Sequence, residues 1–300
     1  MTHFTLDGWL PAQQKRVEAL LQSRMEAIAR RSPARLSDAM AYSLLDGGKR
    51  LRPVLCLTFA DAVSRSSNGG GEPANDAACA LECIHTYSLV HDDLPAMDDD
   101  SLRRGRPTNH KVYGEAMAIL AGDALLTDAF ALLATGPTAE QAVRGRLVAE
   151  LAIAAGAGGM VGGQVLDIAE DRPAEVDYLT RLHRMKTGAL IKAACRMGAI
   201  AGGADEGALR AAEIYGDAVG LAFQIADDIL DVTASAAILG KPTGADAAAG
   251  RHTFPAVVGL ESARALAAGH VTSALAAIRD LEGSDGPLAA LARYSVERSS

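Results

Sequence analysis

The chain reads as all-α, a single large antiparallel bundle of about ten helices. Aromatic residues make up only 4% of its 300 residues and alanine is abundant, a composition that favours helix over strand. Runs of Val, Ile and Thr alternating with polar residues are absent, and apolar residues instead recur at steps of three and four. The separators between these periodic stretches are short and carry turn chemistry, so long neighbouring helices are expected to fold back on one another.

The periodicity predicts helices over roughly 11 to 31, 34 to 46, 50 to 64 and 74 to 94. The third and fourth are divided by SRSSNGGGEP (Ser64 to Pro73), a surface loop with no chemical residues beyond one Arg and one Glu. A helix over 111 to 134 stops at Thr135-Gly136-Pro137, and one over 138 to 168 stops ahead of Asp171-Arg172-Pro173. Helices over 175 to 202 and 205 to 233 meet at Gly202-Gly203-Ala204-Asp205. The next segment, GKPTGADAAAGRH (Gly240 to His252), combines glycine hinges with Lys241, Asp246, Arg251 and His252. A loop of that kind can close over an anionic ligand and is expected to order when it does. Helices over 254 to 282 and 287 to 298 complete the pattern. The length would allow two domains, but no interdomain linker or repeat is visible, so residues 1–300 are expected to form one domain.

Composition narrows the function. Lys+Arg 29 against Asp+Glu 37 leaves a net charge of −8, which argues against nucleic acid or an anionic membrane as a partner. Stretches such as Leu147 to Val161 are cut by Glu150 and glycines, so no membrane span is expected. The first residues lack the pattern of a targeting signal. The four cysteines form no CxxC pair, which fits a reducing cytoplasm better than a disulfide or zinc framework.

Two acidic clusters stand out. His91-Asp92-Asp93-Leu94-Pro95-Ala96-Met97-Asp98-Asp99-Asp100 places five carboxylates in nine residues at the end of an apolar helix. Gln224-Ile-Ala-Asp227-Asp228-Ile-Leu-Asp231 lies within another. With Asp227 at zero, Asp231, Gln224 and Asp228 fall at about 40°, 60° and 100° around that helix, so all four are expected on one face. Like charges so arranged among Ile225, Ala226, Ile229 and Leu230 are costly unless a cation joins them. Oxygen donors without Cys or His at metal spacing point to Mg²⁺. In the first cluster the six-residue step from Asp92 to Asp98 would separate the two by about 240° on a continuous helix. Pro95 is therefore expected to break the helix and let Asp98 swing back beside Asp92.

Cations gather near these acids: Gly47-Gly48-Lys49-Arg50-Leu51-Arg52-Pro53, Leu102-Arg103-Arg104-Gly105-Arg106, Lys186-Thr187-Gly188 and Lys241. In an acidic protein such pairing makes sense if metals and phosphates fill the space between them. His85 lies on the face of Asp92, about 10.5 Å away by helical rise.

In order along the chain, GGKRLRP, ECIHTYSLVHDDLPAMDDDSLRRGRPTNHKVYGE, GGQVLD, HRMKTGAL, FQIADDILD and LGKPTGAD resemble the successive motifs of the trans-prenyltransferases, most closely the bacterial-type farnesyl diphosphate synthases. That resemblance implies the isoprenoid synthase fold around a central cavity and a homodimer. It also implies 1'-4 condensation of isopentenyl diphosphate with dimethylallyl and geranyl diphosphate to the C15 product. Asp92, Asp98 and Asp227, with Asp93, Asp228 and Asp231 beside them, would bind three Mg²⁺. Lys49, Arg52, His85 and Arg104 would hold isopentenyl diphosphate, and Arg103, Lys186 and Lys241 the allylic diphosphate. Thr187 and Gln224 would stabilise the allylic cation. Tyr87, with Ser88 beside it, would limit product length, the alternatives being C20 or C10 products. Where the family usually has Gly-Lys after the mobile loop this chain has Gly250-Arg251, which keeps the charge but alters its geometry.

Other classes fit less well. Glu82-x-x-His85 has di-iron spacing but lacks a second copy. A terpene cyclase has no second diphosphate to hold, and a non-catalytic partner subunit should have lost aspartates or the basic set.

Overall fold

The computed structural model describes residues 4–67, 73–136, 140–233 and 252–297. The expected all-α bundle is present. The helices are α1 (Trp9–Ala29), α2 (Ala34–Leu44), α3 (Leu51–Ser67), α4 (Pro73–Asp92), α5 (Asn109–Tyr113), α6 (Glu115–Thr135), α7 (Gln141–Ala155), α8 (Met160–Asp167), α9 (Val176–His183), α10 (Ala189–Ala201), α11 (Glu206–Thr233), α12 (Phe254–Val258), α13 (Leu260–Ala277) and α14 (Pro287–Glu297). A π-helical turn, Arg184–Gly188, joins α9 to α10.

Ten predicted helices become fourteen among the described residues because four long periodic stretches are divided, 175 to 202 at the π turn and the other three where glycine occurs. The stretch 111 to 134 gains a separate first turn, α5, ending at Gly114. The stretch 138 to 168 divides between Ala155 and Met160, and 254 to 282 divides at Gly259. One unforeseen element is a two-residue antiparallel hairpin, β1 (Leu102–Arg103) with β2 (Arg106–Pro107). The loop expected at Gly240 to His252 lies, up to Arg251, outside the described residues.

The core forms around α10, ten of whose thirteen residues are buried, packed against α3, α4, α7 and α11. Phe59 of α3 meets Tyr215 of α11 edge to face at 5.1 Å, and the Tyr215 hydroxyl donates to Leu288 O of α14. A buried phenol thus finds its acceptor inside an otherwise apolar layer. α4 runs along α6 and α3, which brings its acidic C-terminal end to the same level as the aspartates of α11.

α6 and the run Gln141–Asp167 are apolar and long enough to cross a membrane by composition alone. This differs from the sequence expectation. The second run is two helices here, and α6 packs on α4 while leaving Ile119 and Leu120 about half exposed. That outer face carries the apolarity that its inner packing does not use.

Candidate active site

Between α3, α4, α8, the π turn and α11 lies a cavity of about 970 Å³, large enough for two small ligands side by side. Its basic wall is built from the loop before α3. Arg50 has a left-handed backbone (φ 48°) and a buried guanidinium that donates to Glu18 Oε1 (2.7 Å), Glu82 Oε1 (2.6 Å) and Leu44 O (2.8 Å). With Arg50 anchored inward, Lys49 and Arg52 on either side reach the cavity. Arg104, at the hairpin tip, donates to Gly47 O. Its Cζ would lie 2.6 Å from a Cβ at position 48, so this approach requires Gly48.

His85 of α4 faces this group. Burial, together with Arg52, Arg104, Arg50 and Arg103, holds its pKa well below the usual histidine range, so the ring is neutral. Burial also lowers Arg52 and Arg104, with Arg50 adding to the effect at Arg104 and Glu82 opposing it at both. Arginines whose charge burial disfavours, gathered beside a neutral imidazole, make an arrangement that favours an anionic ligand.

The acidic wall begins where α4 ends. Past Asp92 the chain turns at Leu94 to Met97, and the Asp98 N–H donates to Asp92 O at 2.8 Å. Asp98 therefore returns beside Asp92, as the proline break requires. Burial, opposed by Lys186 and reinforced by Asp98, pushes the Asp92 carboxyl up to about 6. Across the cavity, α11 presents Gln224 and Asp227. The π turn presents Lys186 and Thr187, and Lys186 Nζ pairs with Asp167 Oδ2 at the end of α8. A single-turn π bulge re-aims the side chains it carries, a device common at functional sites. Tyr87, Met160, Val165, Ile191 and Phe223 supply apolar lining.

Residues 33–280 match the polyprenyl synthetase family. The chain belongs to that family. It is 45% identical to the farnesyl diphosphate synthase of Geobacillus stearothermophilus, over 97% of this chain and 96% of that one. It is 48% identical to the farnesyl diphosphate synthase of Escherichia coli, over 87% of this chain and 89% of that one. Among solved structures, the geranyltransferase of Legionella pneumophila superposes with a TM-score of 0.84 at 32% identity, covering 98% of this chain and 96% of that one.

In this polyprenyl synthetase the cavity gathers Lys49, Arg52, His85, Tyr87, Ser88, Asp92, Arg103, Arg104, Lys186, Thr187, Gln224 and Asp227. Four expected metal residues are not on its lining. Asp93 is buried against Arg103, whose Nε donates to it at 2.7 Å, so it orients that arginine. Asp228 accepts the Phe254 N–H at 2.9 Å, lies 3.6 Å from His183 Nε2, and lines a smaller adjoining pocket with Lys186, Thr187 and Gln224. The 100° step between the two residues, counted as one face in the sequence, is enough to send them into different packings. Asp98 is exposed beside Asp92, and Asp231 lies a turn beyond Asp227. Lys241 and Arg251 lie outside the described residues.

Three residues with a place in the site have no role in it from the sequence, where Glu82 stands out only for its di-iron spacing. Glu82 anchors Arg50, and Asp167 pairs with Lys186. Gln164 lines the cavity with both amide atoms buried and unpartnered among the described residues. The last two belong to GGQVLD, a motif legible in the sequence without a role for its members.

Proposed function

We propose that this chain is a farnesyl diphosphate synthase that forms C15 product from isopentenyl diphosphate and the dimethylallyl and geranyl diphosphates. The observation that carries this reading is a single cavity joining two opposed aspartates, two separable groups of cations and an apolar wall.

Asp92 and Asp227, with Asp98 and Asp231 on the adjoining turns, would hold Mg²⁺, three ions with the diphosphate completing their coordination. The fit rests on the donor set, which is all oxygen, and on Asp92 and Asp227 both lining the one cavity. Among the described residues no three such groups are gathered into a preformed metal site. Bound Mg²⁺ would neutralise charge on the departing diphosphate.

Lys186 and Arg103, with Lys241, would hold the allylic diphosphate. As its C–O bond breaks, the electron pair leaves with the diphosphate, and the Thr187 and Gln224 oxygens face the allylic cation. Lys49, Arg52, Arg104 and neutral His85 would hold isopentenyl diphosphate so that its double bond forms the new C–C bond. The proton then lost passes to the released diphosphate, and no side-chain base is required.

We place the whole of residues 1–300 in one domain and the enzyme in the cytoplasm as a homodimer. The dimer rests on the exposed face of α6, where Leu120 joins Met117, Leu36 and Pro33 in an apolar groove. The test is incubation with dimethylallyl and isopentenyl diphosphates and Mg²⁺. Farnesyl diphosphate as the main product is expected, and absence of any prenyl product would sink the reading.

A further inference from the structure

The hairpin that carries Arg103 and Arg104 is too short to hold its own shape. β1 and β2 contribute two residues each, Leu102 paired with Pro107 and Arg103 with Arg106, and an isolated two-stranded ribbon is marginal in water. The two residues between them, Arg104 and Gly105, both have left-handed backbones (φ 51° and 78°). This is the I′ turn geometry that favours Asn-Gly, and an arginine at its first position is strained.

Anchorage comes from α2. Arg106 pairs with Asp46, just past the end of α2, and its guanidinium lies 4.3 Å from the centre of the Tyr42 ring. The Tyr42 hydroxyl donates to Pro107 O at 2.7 Å, and its ring packs edge to face on Tyr113 of α5 at 5.6 Å. Tyr42, Asp46 and Arg106 all stand outside the cavity lining. They grip the second strand of the hairpin, and the first strand and the turn follow from its pairing.

The two cations ahead of Arg106 depend on this clamp unequally. Arg103 has anchors of its own, with Nε on Asp93 Oδ1 at 2.7 Å and Nη2 on Asp100 Oδ2 at 3.2 Å. Arg104 occupies the strained turn itself, and its side chain lies against Gly48 with Nη1 donating to Gly47 O. Without the clamp the turn can relax and carry Arg104 away from Lys49 and Arg52, while Asp93 and Asp100 still hold Arg103.

We infer that Arg106, held by Asp46 and Tyr42, is a positioning residue that aims Arg104 at the isopentenyl diphosphate subsite. This deepens the proposed synthesis and rests on the place given there to Arg104. Arg106 is about half exposed, so its contribution is the geometry of the turn rather than the stability of the bundle.

The test is steady-state kinetics with isopentenyl and geranyl diphosphates. Arg106→Gln is expected to raise the KM for isopentenyl diphosphate about fivefold, the scale that an exposed ion pair and a cation–π contact together supply, with kcat and the KM for geranyl diphosphate within about twofold of wild type. Arg106→Lys keeps the ion pair and is expected to recover part of the rise. In an Arg104→Ala background Arg106→Gln is expected to add nothing further, since a positioning residue acts only through the group it positions. If wild type condenses the two substrates and Arg106→Gln leaves the isopentenyl KM unchanged, raises both KM values alike, or adds its full effect to Arg104→Ala, this inference is overturned and the function stands. Failure of Arg106→Gln to fold, read by circular dichroism, would equally overturn it, because the residue would then serve stability. If wild type yields no prenyl product, the function falls and the inference with it.

Discussion

Asp92 is held in a protein environment that disfavours its charge, and the consequences are separable by experiment. Its folded pKa, about 6, lies above the ordinary carboxylate value of 3.8. The folded state therefore binds this proton more tightly than the unfolded chain does. The group favours folding most below about pH 4, and this contribution is lost as pH rises through about 6. In metal-free protein Asp92→Asn is expected to raise stability at about pH 7.5 by on the order of 2–3 kcal/mol, with little difference at pH 4. Denaturant melts in chelator at the two pH values check this. The proposed metal role gives a second test: Asp92→Ala and Asp227→Ala are each expected to cost about 10³-fold or more in rate, at least ~4 kcal/mol of barrier. Near-normal turnover of either variant at saturating Mg²⁺ would refute the metal assignment.

Helix ends decide which side chains meet. α4 stops at Asp92, and the turn after it ties Asp98 back to the last helical carbonyl, turning a 240° separation into adjacency. At the other wall, Arg50 has to adopt a left-handed backbone before α3, and Glu82 of α4 is the buried partner that holds it there, the two side chains being 1% and 3% exposed. Glu82→Gln breaks this buried pair and is expected to destabilise the fold by roughly 3 kcal/mol. It should also raise the KM for isopentenyl diphosphate about tenfold with a smaller change in kcat, because uniform binding is what the loop supplies. Partial recovery of KM in Glu82→Asp would separate positioning from a general loss of structure.

Product size and assembly belong to the whole bundle. The aspartates proposed to hold metal sit at or near helix ends, whereas Tyr87 lies within α4, which in the proposed mechanism puts the chemistry above and a steric stop below. Tyr87→Ala leaves the reacting end unchanged and is expected to extend product to C20 or beyond. If the new space stays empty it should also cost roughly 2–4 kcal/mol of stability. Product chromatography and a thermal melt with and without bound product read both effects. On the outer surface, wild type is expected to sediment as the proposed dimer in analytical ultracentrifugation and Leu120→Lys as a monomer. A monomeric wild type would instead leave the α6 groove without the proposed partner.

Much of the machinery was legible from local patterns. The 3.6-residue period marked the helices, Pro95 marked the break that returns Asp98, and the spacing of cations and aspartates marked the two walls. These follow from backbone geometry and charge, which act over a turn or two. What the pattern could not carry was direction. Asp227 and Asp228 are equally acidic and adjacent, yet one faces the cavity and the other accepts Phe254 N–H, because α12 packs on only one side of α11. Asp93 was as good a ligand as Asp92 until the hairpin brought Arg103 against it. The π turn carrying Lys186 and Thr187 left no mark on the hydrophobic period. The clamp of Tyr42 and Asp46 on Arg106 joins residues far apart in the chain. Each of these depends on which element arrives from elsewhere in the sequence, and only the packed bundle determines that.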